Sequence, residues 1–235
     1  MKHKTKQGRL VLAQGAFTLM LVSIAPGVMA LSFDLPNPDY RLRWDNTDRY
    51  NLGVRTDSQD SRIMNTPNFD ESDGKFDKGD IVTNRLDVLS ELDFSYLNEW
   101  GGRLSGAGWF DQAYNDHDVK SNVPGYATSY HNNRYSDEVK RYMNGPSGEI
   151  LDAFVWRNFN VGDTPVNVKV GRHTNYWGES LLFGGHAVSY SQAPSDGVKA
   201  STSPGIETKE VFLPVGQISA KAQVTDHLSV AGQYF

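Results

Sequence analysis

The chain of 235 residues contains no cysteine. That excludes a disulfide scaffold, a lipid-modified cysteine at an export cleavage site and any thiolate metal centre. Long apolar runs are scarce as well. The single candidate, Leu10 to Val22, is shorter than the roughly 20 residues of a spanning helix and is interrupted by Gln14 and Gly15. Basic charge is concentrated at the start, in Lys2, Lys4, Lys6 and Arg9. These four precede the apolar stretch, which is followed by Pro26-Gly27 and by the small-residue pattern Val28-Met29-Ala30. That order predicts a secretory signal peptide over residues 1–30, cleaved after Ala30, and a single mature domain over 31–235. Removing residues 1–30 leaves 19 basic against 28 acidic groups, a formal charge of -9, which argues against nucleic acid as a partner.

The missing spanning helix does not exclude a membrane. Strands that are only modestly apolar cross a bilayer when they belong to a closed barrel, because every backbone donor and acceptor is then paired between strands. Asn84 to Tyr96 has the required pattern: Leu86, Val88, Leu92, Phe94 and Tyr96 fall on one side, and Arg85, Asp87, Glu91 and Asp93 on the other. A period of two arises only in an extended chain, and the length matches the roughly 9 to 11 tilted residues of a transmembrane strand. A soluble sheet separates core from solvent with the same alternation, so this segment alone leaves both readings open.

The pattern recurs in pairs. A turn at Asn98-Glu99-Trp100-Gly101 predicts a return strand over 102–114, with Leu104, Phe110 and Tyr114 on one face and Arg103, Ser105, Trp109 and Asp111 on the other. Its small residues Gly106, Ala107 and Gly108 mark either strong curvature or a bulge. Further hairpins are expected from 149–159 to 165–172 around Asn160 to Asp163, and from 217–224 to 228–235 around Thr225 to His227. In the last, Ile218, Ala220, Ala222 and Val224 oppose Gln217, Ser219, Lys221 and Gln223. Two shorter strands are expected at 40–44 and 49–55. Long polar connections, 56–80, 115–147 and 184–208, alternate with the short turns, which is the asymmetry of an outer-membrane barrel with one end in the periplasm and the other outside. The fold class read from these features is all-β, an antiparallel transmembrane β-barrel.

The ordered set Leu151-Asp152-Ala153-Phe154-Val155, Val168-Lys169-Val170-Gly171-Arg172 and Trp177-Gly178-Glu179-Ser180 resembles the N-terminal part of a family of Gram-negative outer-membrane, porin-like proteins known only as a domain of unknown function. Asn84-Arg85-Leu86, Glu91-Leu92-Asp93, Pro204-Gly205, Lys209-Glu210 and Leu213-Pro214 belong to the same resemblance. It implies a larger, many-stranded barrel of which this chain is an N-terminal fragment, because members of that family resemble much longer proteins. Phe235 imitates the terminal aromatic read by barrel assembly machinery, but its face carries Gln233, Ala231 and Ser229 where apolar residues belong.

The function expected is a porin-like channel in the outer membrane of a Gram-negative bacterium, passing small, hydrophobic or amphipathic solutes. A structural or adhesive barrel and a soluble periplasmic or secreted binding protein are the alternatives. Expected partners are outer-membrane lipids and lipopolysaccharide, the assembly machinery and a small-molecule solute. Residues expected to line the lumen or a constriction are Arg85, Asp87, Glu91, Asp93, Arg103, Asp111, Asp152, Arg172 and Glu179. Their alternative role is an ion-pair network supporting the wall. Trp177 and Gly178 are expected at a constriction or as a turn anchor with an interfacial aromatic. The tyrosine-rich stretch Tyr126 to Tyr142 could stack on a ligand or pack against lipopolysaccharide.

An enzyme is not expected. His173, His186 and His227 lie among serines and acids, but no Gly-x-Ser-x-Gly elbow and no spacing selects a nucleophile, base and orienting group. No cofactor or metal is expected either. Aligning Gly74 of Asp70-Glu71-Ser72-Asp73-Gly74 with the invariant glycine of a calcium loop puts Phe69 at the first ligand position, so the motif fails there.

Overall fold

A computed structural model describes residues 28–33, 35–66, 71, 74–115, 119, 128, 130–177 and 193–235. Eight antiparallel strands form one meander, each paired with its neighbours in sequence. They are β1 (Val28–Phe33), β2 (Tyr40–Val54), β3 (Ile81–Tyr96), β4 (Trp100–Asp111), β5 (Ser147–Val161), β6 (Thr164–His173), β7 (Val215–Thr225) and β8 (Leu228–Tyr234). No pairing joins β1 to β8, so the sheet is open. Val28 to Ala30, the expected cleavage region, lie within β1 and pair with Thr47 to Asp45 of β2.

The expected hairpins are present, with shifted ends. The turn after β3 is built on Leu97 and Asn98, both at positive φ (48° and 57°), and the Glu99 N–H donates to the Tyr96 carbonyl at 2.9 Å. Two left-handed central residues give the hairpin twist that matches the flanking strands. Leu97 carries no turn signature, so the turn, Tyr96 to Glu99, falls two residues earlier than the sequence predicts. The two short strands expected over 40–55 are one strand of 15 residues. Asp45, Asn46 and Asp48 have low strand propensity, yet they lie in an unbroken β2–β3 register from Tyr40↔Tyr96 to Gly53↔Thr83, and Asp45 to Thr47 pair with β1 as well. Ladder pairing overrides propensity here. On β4 the small-residue run adjoins a register shift: Leu104 opposes Ala153 of β5, while Gly106 opposes Ile150. Gly101 is required by close approach, since a Cβ there would stand 2.3 Å from the Phe94 carbonyl oxygen and 2.8 Å from the Trp156 ring.

Because opposed residues of an antiparallel pair share a face, the register divides the sheet in two. One face carries Arg49, Arg85, Asp87, Glu91, Ser105, Asp111, Gln217 and Ser219; the other carries Leu86, Leu104, Phe110, Val155, Val170, Ile218 and Val230. Burial is the reverse of a soluble sheet. Arg85, Asp87, Glu91 and Asp111 keep only 3, 4, 7 and 4 % exposure, whereas Leu104, Val155, Ile218 and Val230 keep 53, 60, 50 and 55 %. The buried apolar cluster is small, comprising Leu89, Ala107 and Leu151, and it sits among the charges on the polar face.

The described parts of the long connections, all of which leave the same end of the meander, cover the polar face. Short helices punctuate them: α1 (Ser61–Met64), α2 (Gln112–Asn115), α3 (Asp137–Val139), α4 (Gly197–Thr202) and α5 (Thr208–Val211). α5 is held by a reciprocal capping box between Glu207 and Glu210, which satisfies backbone donors that so short a helix leaves free. Among the described residues no helix is long and apolar enough to cross a membrane, a fact that does not bear on strands.

Candidate functional site

The covered face of β2 to β5, together with the connection 193–214 laid over it, gathers most of the charged residues singled out in the sequence. Alternation puts Glu91, Asp93 and Arg103 side by side, since Asp93 opposes Arg103 across the β3–β4 ladder. Arg103 donates from Nε and Nη2 to the Asp93 carboxylate at 2.7 and 2.9 Å, and its Nη1 lies 3.6 Å from Glu91. Lys209 of α5 reaches down to the same Glu91 and lies 3.1 Å from Glu207. Burial opposes the charge on Lys209, but hydrogen bonds to these two carboxylates prevail and raise its pKa.

Arg85 and Asp87, two residues apart on one strand and hence on one face, form a buried pair with Nε–Oδ2 at 2.8 Å. The remaining donor capacity of Arg85 goes to the Met143 carbonyl of the β4–β5 connection. Deeper under the cover, Arg49 and Glu210 make a bidentate pair, both contacts at 2.7 Å. The fork-to-fork geometry fixes orientation as well as distance. Lys199 of α4 pairs with Glu149 and stands over the Trp109 ring, 4.6 Å from its centroid. Burial pushes its ammonium down to about 8 against the attraction of Glu210 and Asp87.

The other expected site residues are placed differently. Asp111 accepts backbone N–H bonds from Asn84 and Ala113, both at 3.0 Å, and so terminates β4 and starts α2. Asp152 is half-buried on the covered side of the bulge, where its N–H donates to the Ser105 hydroxyl at 2.9 Å. Arg172 does not join the set. It opposes Ala153 and shares a face with Val170, so strand parity sends it to the open apolar face, away from the buried charges. Gly178 and Glu179 lie outside the described residues, as do Asp70, Ser72, Asp73, Tyr126 and His186. Trp177 is half-buried, its indole N–H donating to Gln233 of β8 at 2.6 Å.

Arg49, Glu149 and Lys199 are not singled out by the sequence, and Lys209-Glu210 enters only through the family resemblance, with no site role attached. Their partners are 50 to 161 residues away, and no local period announces such contacts. His173, by contrast, is buried with Nε2 2.8 Å from the Ser219 hydroxyl and Nδ1 3.0 Å from the Gly171 carbonyl. With a carbonyl in place of an orienting carboxylate, the pair ties β6 to β7. Among the described residues no three His, Asp or Glu side chains are grouped to hold a metal.

At the connection end of the covered face lies a cavity of about 720 Å³ between β3, β4 and the three long connections. One side of its wall is aromatic, from Phe76, Tyr114, Tyr130 and Tyr135, the rest is polar or charged for the most part, and Lys75 is its one buried lysine among the described residues. The arrangement as a whole offers a polar, charge-lined track closed by ion pairs, with a roomier amphipathic chamber at one end.

Comparison with curated proteins and with solved structures returns no match. A family match does extend over residues 11–235, nearly the whole chain. The protein therefore belongs to the family described as protein of unknown function (DUF1302).

Proposed function

We propose that this protein is part of an outer-membrane barrel that passes small solutes along its polar face. The observation that carries the reading is the inverted sheet, with buried charge on one face and exposed aliphatic side chains on the other. In water that arrangement leaves a large apolar surface unexplained; against lipid it is the expected one.

Dimensions support it. On the open face Tyr40, Phe94, Tyr96 and Trp100 cluster at the short-turn end, with ring centroids 4.7 to 6.1 Å apart. Tyr50 and Phe110 flank Leu86 near the other end. From Leu86 to Tyr96 the strand runs roughly 33 Å, and at a tilt of about 40° it spans roughly 25 Å, the height of an outer-membrane apolar band bounded by aromatic girdles. Polar interruptions fall in tolerable places. Arg157 opposes Trp100 and Arg172 lies one residue from the end of β6, where long basic side chains can reach headgroups. Asn46 and Asp48 oppose Ser90 and Val88 and are the costliest elements of the reading.

Unpaired edges do not stand in hydrocarbon. The proposal therefore requires β1 and β8 to be paired in the membrane by further strands, with lipopolysaccharide around the barrel and the assembly machinery needed to insert it. The Glu91–Arg103–Lys209 cluster lies on the proposed path, and neutralising one carboxylate there changes ion preference. The test is fractionation followed by planar-bilayer recording of the wild type and of Glu91→Gln. Extraction only by detergent, with a conductance whose cation preference falls in the variant, is expected. Recovery in the soluble fraction would favour instead a periplasmic β-rich binding protein.

A further inference from the structure

The cavity under the long connections adjoins one end of the charged track, with Arg85 and Asp111 in the walls of both, but has its own chemistry. We propose that it is a binding site for an organic monocarboxylate with an apolar body, the carboxylate pairing with Lys75. A volume of about 720 Å³ lies within the roughly 300–1,000 Å³ of small-molecule sites. Phe76, Tyr114, Val119, Tyr130, Tyr135 and Met143 give it an apolar wall.

Lys75 is 8 % exposed. Its Nζ stands 3.7 Å from the Tyr135 ring centroid and 4.5 Å from that of Tyr114, and among the described residues no carboxylate pairs with it. Ring faces compensate an ammonium only in part, and an ammonium whose stem is buried while its tip faces the cavity favours an anionic partner. The other charges of the wall are occupied. Arg85 is held by Asp87 and the Met143 carbonyl, Asp111 receives the N–H groups of Asn84 and Ala113, and Glu71 is engaged as well.

Elimination gives the ligand chemistry. A cation would meet the Lys75 charge, and a neutral sugar could use Thr83, Asn144, Ser201 and Thr202 but would leave that charge uncompensated and its hydroxyls against the aromatic side. A carboxylate on an aliphatic or aryl body satisfies both the ammonium and the rings. Burial lowers the Lys75 pKa to about 8, which leaves it charged at neutral pH and ready to gain from an anion. Such a monocarboxylate is a solute class for the proposed passage. Its release and transit after binding rest on that reading; occupancy itself needs no bilayer.

Calorimetric titration of the full chain in detergent at pH 7 with 4-phenylbutyrate, its primary amide and 4-phenylbutylamine tests it. The acid is expected to bind at least tenfold more tightly than the amide, with the amine weakest. Lys75→Met should bring the acid down to the level of the amide, and Lys75→Arg should preserve the preference. Equal binding of acid and amide by the wild type, tighter binding of the amine, no binding of any probe, or a preference retained in Lys75→Met would each overturn the site. The wild-type comparison requires no variant to fold. Binding without flux through a bilayer would overturn the passage and leave the site standing; flux of the acid without saturable binding would do the reverse.

Discussion

Two side chains carry the sharpest consequences at the scale of single residues. Lys75 keeps its proton below about pH 8, so 4-phenylbutyrate binding should be full near neutrality and fall as pH rises through that value. Facing it are Glu71 from the β2–β3 connection, Arg85 and Asp111 from the sheet, and Tyr114, Tyr130 and Tyr135 from the β4–β5 connection. Burial holds the Tyr114 phenol above its ordinary value, away from this window, and substitution of the lysine assigns the fall. Lys75→Arg should abolish it, and a titration series across roughly pH 6.5 to 9.5 brackets the lowered value and measures the difference. The same lowered value means that the unfolded chain holds more protons than the folded one between about 8 and the ordinary lysine value. This group's contribution to stability therefore rises with pH in that window.

Arg49 and Glu210 offer the second test. Their side chains are 12 and 2 % exposed, and the Arg49 Nε is buried with no partner, so the pair sits in a costly environment. Removing one partner strands the other, a loss of about 3 kcal/mol. Glu210→Ala should accordingly raise protease cleavage within residues 193–214 on the order of 100-fold, whereas Arg49→Met combined with Glu210→Met should recover most of the protection. Equal cleavage in the single and double variants would show that the cover is held elsewhere.

Among the structural elements, the β3–β4 turn is suboptimal. Leu97 adopts a left-handed conformation that favours Asn or Gly. Its side chain is half exposed and its N–H bond to the Asp39 carbonyl survives substitution. Leu97→Asn should stabilise the sheet by about 0.5 to 1 kcal/mol, read as a higher midpoint of thermal unfolding in detergent, while an unchanged or lower midpoint would deny the turn its strain. This element also shows where sequence reading stops. Alternation along β3, β4 and β7 is legible because a period of two sorts residues by face, whatever lies against that face. The continuity of β2 is not, because Asp45 to Thr47 pair on both sides despite their composition. Arg172 is misread for a related reason: its charge suggests the polar side, but parity with Val170 decides. The cover is invisible, since Lys199 and Lys209 find their partners across the fold and the short helices that carry them have no amphipathic period.

For the whole molecule, the proposed outer-membrane placement requires that the apolar face meets lipid and the charged face does not. The absence of native cysteine makes a single-cysteine scan clean. Nitroxide labels placed one at a time from Gln217 to Val224 of β7, in protein purified from the outer-membrane fraction and reconstituted in bilayers, report collision with oxygen, which concentrates in lipid, or with a water-soluble nickel chelate. Oxygen collision should peak at Ile218, Ala220, Ala222 and Val224 and fall at Gln217, Ser219, Lys221 and Gln223. Nickel access at the apolar positions, or an alternation in the opposite phase, would contradict that placement.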